Sequence, residues 1–133
     1  MTSRAVVNGE TIILLDPKLP LAVSRELPAH MNFVEGRQNG KRLSLKNQKL
    51  SQSVLDGLNL SRAILSGCTF VRSRANCTTF VETDLFGSDF STAVAMGANF
   101  EKADLRGVNF ELCNLKHSRF NGADLRPGQI AEW

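Results

Sequence analysis

Residues 98–127 read ANFEK ADLRG VNFEL CNLKH SRFNG ADLRP. Cut in fives, the stretch repeats itself. A small residue comes first, Asp or Asn (once Arg) second, Leu or Phe third, and two variable residues last. The same cut runs back to Leu43 and on to Glu132, giving eighteen units without a gap. The third residue is always Leu, Phe, Ile or Ala. A five-residue period fits neither regular element over this length. An α-helix would spread the apolar residues around its circumference, and a flat strand would send alternate repeats to opposite faces. A chain that turns a corner every five residues resolves both problems, with the first and third residues pointing inward on every side.

These units resemble the pentapeptide-repeat family, whose consensus is close to A-(D/N)-(L/F)-x-x; ANFEK, ADLRG and ADLRP match it nearly letter for letter. The resemblance implies an all-β fold, a right-handed quadrilateral parallel β-helix with four units per coil. The residues supply their own check on that number. Every fourth central residue gives Leu45, Leu65, Leu85, Leu105, Leu125 on one side and Leu50, Phe70, Phe90, Phe110, Ile130 on the next. The third side holds Leu55, Ala75, Ala95, Leu115, and the fourth Leu60, Phe80, Phe100, Phe120. Two Phe columns thus oppose each other, with smaller residues between them, as close packing of a narrow core requires. The candidate core is Leu65, Phe70, Phe80, Leu85, Phe90, Phe100, Leu105, Phe110, Leu115, Phe120 and Leu125. Coils about 4.8 Å apart make a rod of roughly four and a half coils over residues 43–133.

Gly67, Gly87 and Gly107 share one corner column, followed by Pro127. A glycine column predicts a turn with positive φ or close contact between coils. On the Leu side Asp84, Asp104 and Asp124 stack, with Arg106 and Arg126 two residues after the last two. We expect a solvated ladder in which the Asp side chains bond local backbone.

Residues 1–42 do not keep the period. Val6 to Ile13 predicts a hairpin around Asn8-Gly9. Pro17, Pro20 and Pro28 argue against a long helix, so Ala22 to Leu27 is expected to form two helical turns at most. Gly36 to Arg42 reads as a loop. A β-helix end exposes apolar core and unpaired backbone, so this segment is expected to be an N-terminal cap, with a partner-docking element as the alternative. Its six basic and four acidic residues give +2, which leaves +1 of the chain's +3 for the repeats.

That mild charge gives no strong footprint for nucleic acid. Three cysteines, Cys68, Cys77 and Cys113, with no CxxC pair, predict reduced thiols. With no signal pattern and no apolar run that could span a membrane, a cytoplasmic location is expected. No catalytic, cofactor-binding or metal site is expected. Cys77 and His117 share a corner column but sit two coils apart, about 10 Å, too far to hold one ion. Cys68 and Cys113 occupy the small inward position, where a thiol acts as a small hydrophobe. Carboxylate pairs lie on a regular convex surface without a pocket.

The leading expectation is therefore a non-catalytic protein-interaction or structural scaffold module whose partner is another protein. The alternative is a DNA mimic that binds or protects a type II topoisomerase such as gyrase, which requires a strongly acidic surface. Gyrase-binding members of the family resemble end-to-end dimers joined at their C-terminal coils. That resemblance implies a homodimer through the C-terminal end, with Ile130 and Trp133 in the contact.

Overall fold

The computed structural model describes residues 3–7, 10–14 and 19–128. Two strands come first, β1 (Ser3–Val7) and β2 (Glu10–Leu14), paired antiparallel from Ser3↔Leu14 to Val7↔Glu10. They flank the expected hairpin turn, whose residues Asn8 and Gly9 lie outside the described residues.

The next element departs from expectation. Helix α1 spans Leu21–Val34, fourteen residues, with Pro20 at its N-cap and Pro28 inside it. The limit of two turns needs correction, and the β-helix carries a helical segment ahead of its first coil. Pro28 removes the N–H that would reach the Ser24 carbonyl. However, Pro28 lies on the exposed face, where water can serve that carbonyl, while Val23, Leu27 and His30 are buried on the opposite stripe. Burying an i, i+4, i+7 stripe outweighs the lost bond. After α1 the chain turns back on itself. The Lys41 N–H donates to the Ala29 carbonyl at 2.9 Å, and the Leu43 N–H donates to His30 Nδ1 at 2.9 Å. Gly40 permits this return: a Cβ there would sit 2.6 Å from the Phe33 backbone nitrogen.

From Ser44↔Ile64 to Asp104↔Asp124, thirteen parallel bridges join residues twenty apart. Five residues per side and twenty per coil make the cross-section four-sided. Third and fifth residues of a unit send their N–H to the next coil, as Leu45 to Ile64 O (2.8 Å) and Asn47 to Ser66 O (2.9 Å). Second residues send theirs to the coil before, as Ile64 to Leu43 O (2.9 Å). The third residue's carbonyl accepts the N–H of the next unit's first residue, as Leu55 from Leu58 (3.1 Å), closing each corner as a turn. Every fifth residue from Asn47 to Gly122 has φ between 56° and 74°, whether or not it is glycine. The glycine column was thus one visible part of a rule that covers all four corners.

The small first residues point inward and do more than leave room. Thr78, Thr83, Ser88 and Ser118 each donate a hydroxyl to the carbonyl 23 residues earlier, at 2.7–2.8 Å. Ser73 does the same to Leu50 at 3.1 Å. Buried hydroxyls are tolerated because each has a partner one coil below. Between these ladders lie the rings. Phe80 and Phe100 stack at 4.9 Å and 6°, Phe70 and Phe90 at 4.7 Å, and Phe90 meets Phe100 edge-to-face at 84° across the core.

Leu65, Phe70, Phe80, Leu85, Phe90, Phe100 and Leu105 are buried. Phe110, Leu115 and Phe120 are half-buried. Leu125, assigned to the core from sequence, is instead 59% exposed. It lies on the last described side, with a core neighbour on one flank only. Ile130 and Trp133 lie outside the described residues.

Candidate interaction surfaces

The outward side chains come from the second, fourth and fifth position of each unit, and the ladder holds them in register. On the Leu side Lys46, Arg106 and Arg126 balance Asp84, Asp104 and Asp124. The adjoining Phe side balances Lys49 and Arg72 against Asp89 and Glu111. Arg74 and Lys116 outnumber Asp56 on the Ala side, and Arg62, Lys102 and Arg119 outnumber Glu82 and Glu101 on the last. Among the described residues, therefore, no face has an acidic excess. Several of these charges pair along the surface: Arg74 with Asp56 at 2.6 Å and Arg119 with Glu101 at 2.9 Å.

The Asp and Asn column residues act first on their own corner. Oδ1 of Asp84, Asp89, Asn99, Asp104, Asn109, Asn114 and Asp124 accepts the N–H two residues on, at 2.8–3.2 Å. Such Asx turns explain why Asp and Asn dominate this position. Arg106 and Arg126 add a fork onto Asp104 and Asp124, with the Nη2 contacts both 2.7 Å. Hydrogen bonds from Arg126 hold the Asp124 carboxyl down at about 2, and Arg106 lowers that of Asp104. Arg106 also lies over the Phe86 ring at 5.0 Å. Phe86, Arg106, Arg126 and Pro127 line a surface hollow of about 300 Å³. Since both arginines are already engaged by carboxylates, the hollow presents no unclaimed charge to a ligand.

The thiols do not form a reactive group. Cys68 is buried, donates to the Leu45 carbonyl, and has its pKa raised by burial. Burial pushes the Cys113 thiol up to about 11. Cys77 is exposed at a left-handed corner. No three His, Cys, Asp or Glu side chains converge on a common point among the described residues. Also among the described residues, no helix is long and apolar enough to cross a membrane.

Two regions stand out from the even surface. One is the last described coil, where inward Leu125 is 59% exposed, Phe110, Leu115 and Phe120 are half-buried, and the corner residue Leu112 is 81% exposed. The other is the seam between α1 and the first coil. There Leu19, Val23 and Leu27 join Leu43 in the core, Arg42 and Arg62 lie over the Phe33 ring at 5.1 and 4.8 Å, and Arg62 Nη2 donates to the Val34 carbonyl. His30 carries no role that the repeat pattern could have shown, since it lies outside residues 43–133. The signal present in the sequence was the Val23, Leu27, His30 spacing of a helix stripe, which was obscured by reading Pro28 as a stop.

The family model described as "Pentapeptide repeat region" matches residues 43–126. The chain belongs to the pentapeptide-repeat family. Membership in that family, with the four-sided coil described above, gives the right-handed β-helix. A pentapeptide repeat protein from the Arabidopsis thaliana thylakoid lumen is 26% identical, with TM-score 0.55, over 61% of this chain and 60% of that one. This pentapeptide-repeat chain thus spans about 60% of that relative's length. One from Nostoc Pcc 7120 is 18% identical, with TM-score 0.38, over 84% of this chain and 100% of that one. QnrB1, a plasmid-mediated fluoroquinolone resistance protein, is 18% identical, with TM-score 0.31, over 62% of each chain. No curated protein sequence matches the chain.

Proposed function

We propose that the chain is a non-catalytic protein-interaction module, a rigid rod of about four and a half coils that uses its C-terminal end to pair with a second copy. Helix α1 acts as the cap of the opposite end, where it covers Leu43 and its neighbours. The observation that carries this reading is the contrast in apolar exposure along the rod. From Leu43 to Leu105 every inward Leu and Phe but Leu45 and Leu58 is buried, whereas in the last described coil Phe110, Leu115 and Phe120 are half-buried and Leu125 is 59% exposed. Apolar exposure at the end of a parallel ladder favours association. Ile130 and Trp133 are proposed to complete that contact, Trp being frequent at interface hot spots.

DNA mimicry of the kind that engages a topoisomerase finds no support in the charges, because mimicry needs one continuous acidic face and, among the described residues, each face balances its charges or is slightly basic. Analytical ultracentrifugation at micromolar concentration tests the pairing. The intact chain should sediment as a dimer, and Leu112→Glu with Leu125→Glu should give a monomer that keeps its β-helix spectrum. A monomer for the intact chain, unchanged by removal of residues 129–133, refutes the proposal.

A further inference from the structure

His30 is wholly buried, and its two nitrogens meet different fates. Nδ1 accepts the Leu43 N–H at 2.9 Å, so the ring is neutral and carries its proton on Nε2. Nε2 has no hydrogen-bond partner, and it is the buried side-chain polar atom so identified among the described residues. This imidazole is the joint between α1 and the rod: it sits on the helix stripe with Val23 and Leu27, and its acceptor contact falls on the first residue of the first repeat. Burial acts most strongly against a charge on this ring; the Ser61 backbone acts the other way, and the nearby charges are cationic, Arg62 from the rod and Arg42 from the segment entering it.

We propose that α1 is an acid-released cap: protonation of His30 turns its acceptor into a donor, breaks the bond to Leu43, and undocks α1 from the first coil. A second N–H on Nδ1 would point at the Leu43 N–H, and a buried cation would lie near two guanidiniums. All three effects oppose the docked state, and only the Ser61 backbone, which burial outweighs, acts on the ring in the other sense. Undocking would uncover the apolar end formed by Leu43, Leu50, Leu55 and Leu60, all now buried. The rod itself would persist, since its ladder and Phe columns do not pass through α1.

The direction in pH follows from proton counting. Burial lowers the docked pKa, while a solvated histidine titrates near 6.5. The undocked state therefore binds more protons as pH falls below that value, and docking weakens in the acid direction. The opening equilibrium of α1 should rise by as much as about tenfold between pH 7.5 and 5.5.

Hydrogen-exchange protection factors of residues 23–34, measured on the full chain against those of residues 80–105, read this directly. Protection of α1 should fall by that factor while the rod's stays constant. His30→Asn places an amide oxygen where Nδ1 lies and cannot take up a proton, so its α1 protection should be flat with pH. Acid loosening that persists in His30→Asn, or wild-type protection that does not change, overturns the proposal. Imidazole ¹⁵N shifts of the wild type give a second readout that does not depend on the variant's folding. They should show the Nε2–H form at neutral pH, and the titration should track the loss of α1 protection. A His30 that titrates with α1 still docked also overturns it.

Discussion

Replacing Phe100 by alanine probes the coil architecture at its most demanding point. Phe100 is 0% exposed. It stacks on Phe80 at 4.9 Å and 6° and on Phe120 at 5.2 Å and 7°, and meets Phe90 and Phe110 edge-on at 84° and 80°. Removing a buried ring that cannot be refilled costs about 3–5 kcal/mol, and the lost ring pairs push the value toward the upper end. Its ladder neighbours on both sides are fixed by backbone bonds, so the cavity cannot collapse easily. With a urea slope near 2 kcal/mol per molar, the midpoint should fall by about 2 M. Phe120 offers an internal control, the same residue in the same column but half-buried in the last described coil. Phe120→Ala should cost roughly half as much, since part of its ring already faces solvent. On the neighbouring wall, Ala95 is also 0% exposed, and Ala95→Phe should destabilise by overpacking, by about 3 kcal/mol. Equilibrium unfolding followed by circular dichroism, with the slope checked for constancy, measures all three. A Phe100→Ala cost below about 1 kcal/mol, or equal costs at Phe100 and Phe120, would refute the column assignment.

Thr92 is a β-branched residue at φ 60°, a conformation it tolerates badly, so Thr92→Gly should raise stability by about 1 kcal/mol in the same denaturation assay. Gly40→Ala should lower it by about 1–3 kcal/mol, because the new methyl would press on the Phe33 backbone; proteolysis should show α1 cut first. For Asp124, a carboxyl held at about 2 favours the folded state above its ordinary range, a contribution lost only as pH falls toward 2. Carbon-13 titration of Arg126→Ala should show the Asp124 midpoint moving up toward its ordinary value, and an unmoved midpoint would contradict the fork geometry.

Much of the rod could be read from one dimension because its constraint is periodic. A coil of twenty residues places position 80 over 60 and under 100, so Leu60, Phe80 and Phe100 become one wall before any coordinate is known. The Asx corners were legible for the same reason: Asp and Asn bond N–H groups two residues away, and that partner is always local. Residues 1–42 carry no such repetition, so local propensity was the only guide there, and at Pro28 it pointed the wrong way. Propensity weighs a missing N–H against water; the folded chain weighs it against burying Val23, Leu27 and His30 on the end of a rod that is distant in sequence. The left-handed corners at Arg62, Leu112 and His117 were hidden by a related cause. Their side chains do not favour φ near 60°, and stacked coils impose it because the turn must repeat in register. The hydroxyl ladder from Ser73 to Ser118 depends likewise on a carbonyl 23 residues back, a partner that exists only once the coils are stacked. Sequence thus determined what repeats and what is local, whereas tertiary structure decided contacts whose energy comes from surfaces the chain brings together only by folding.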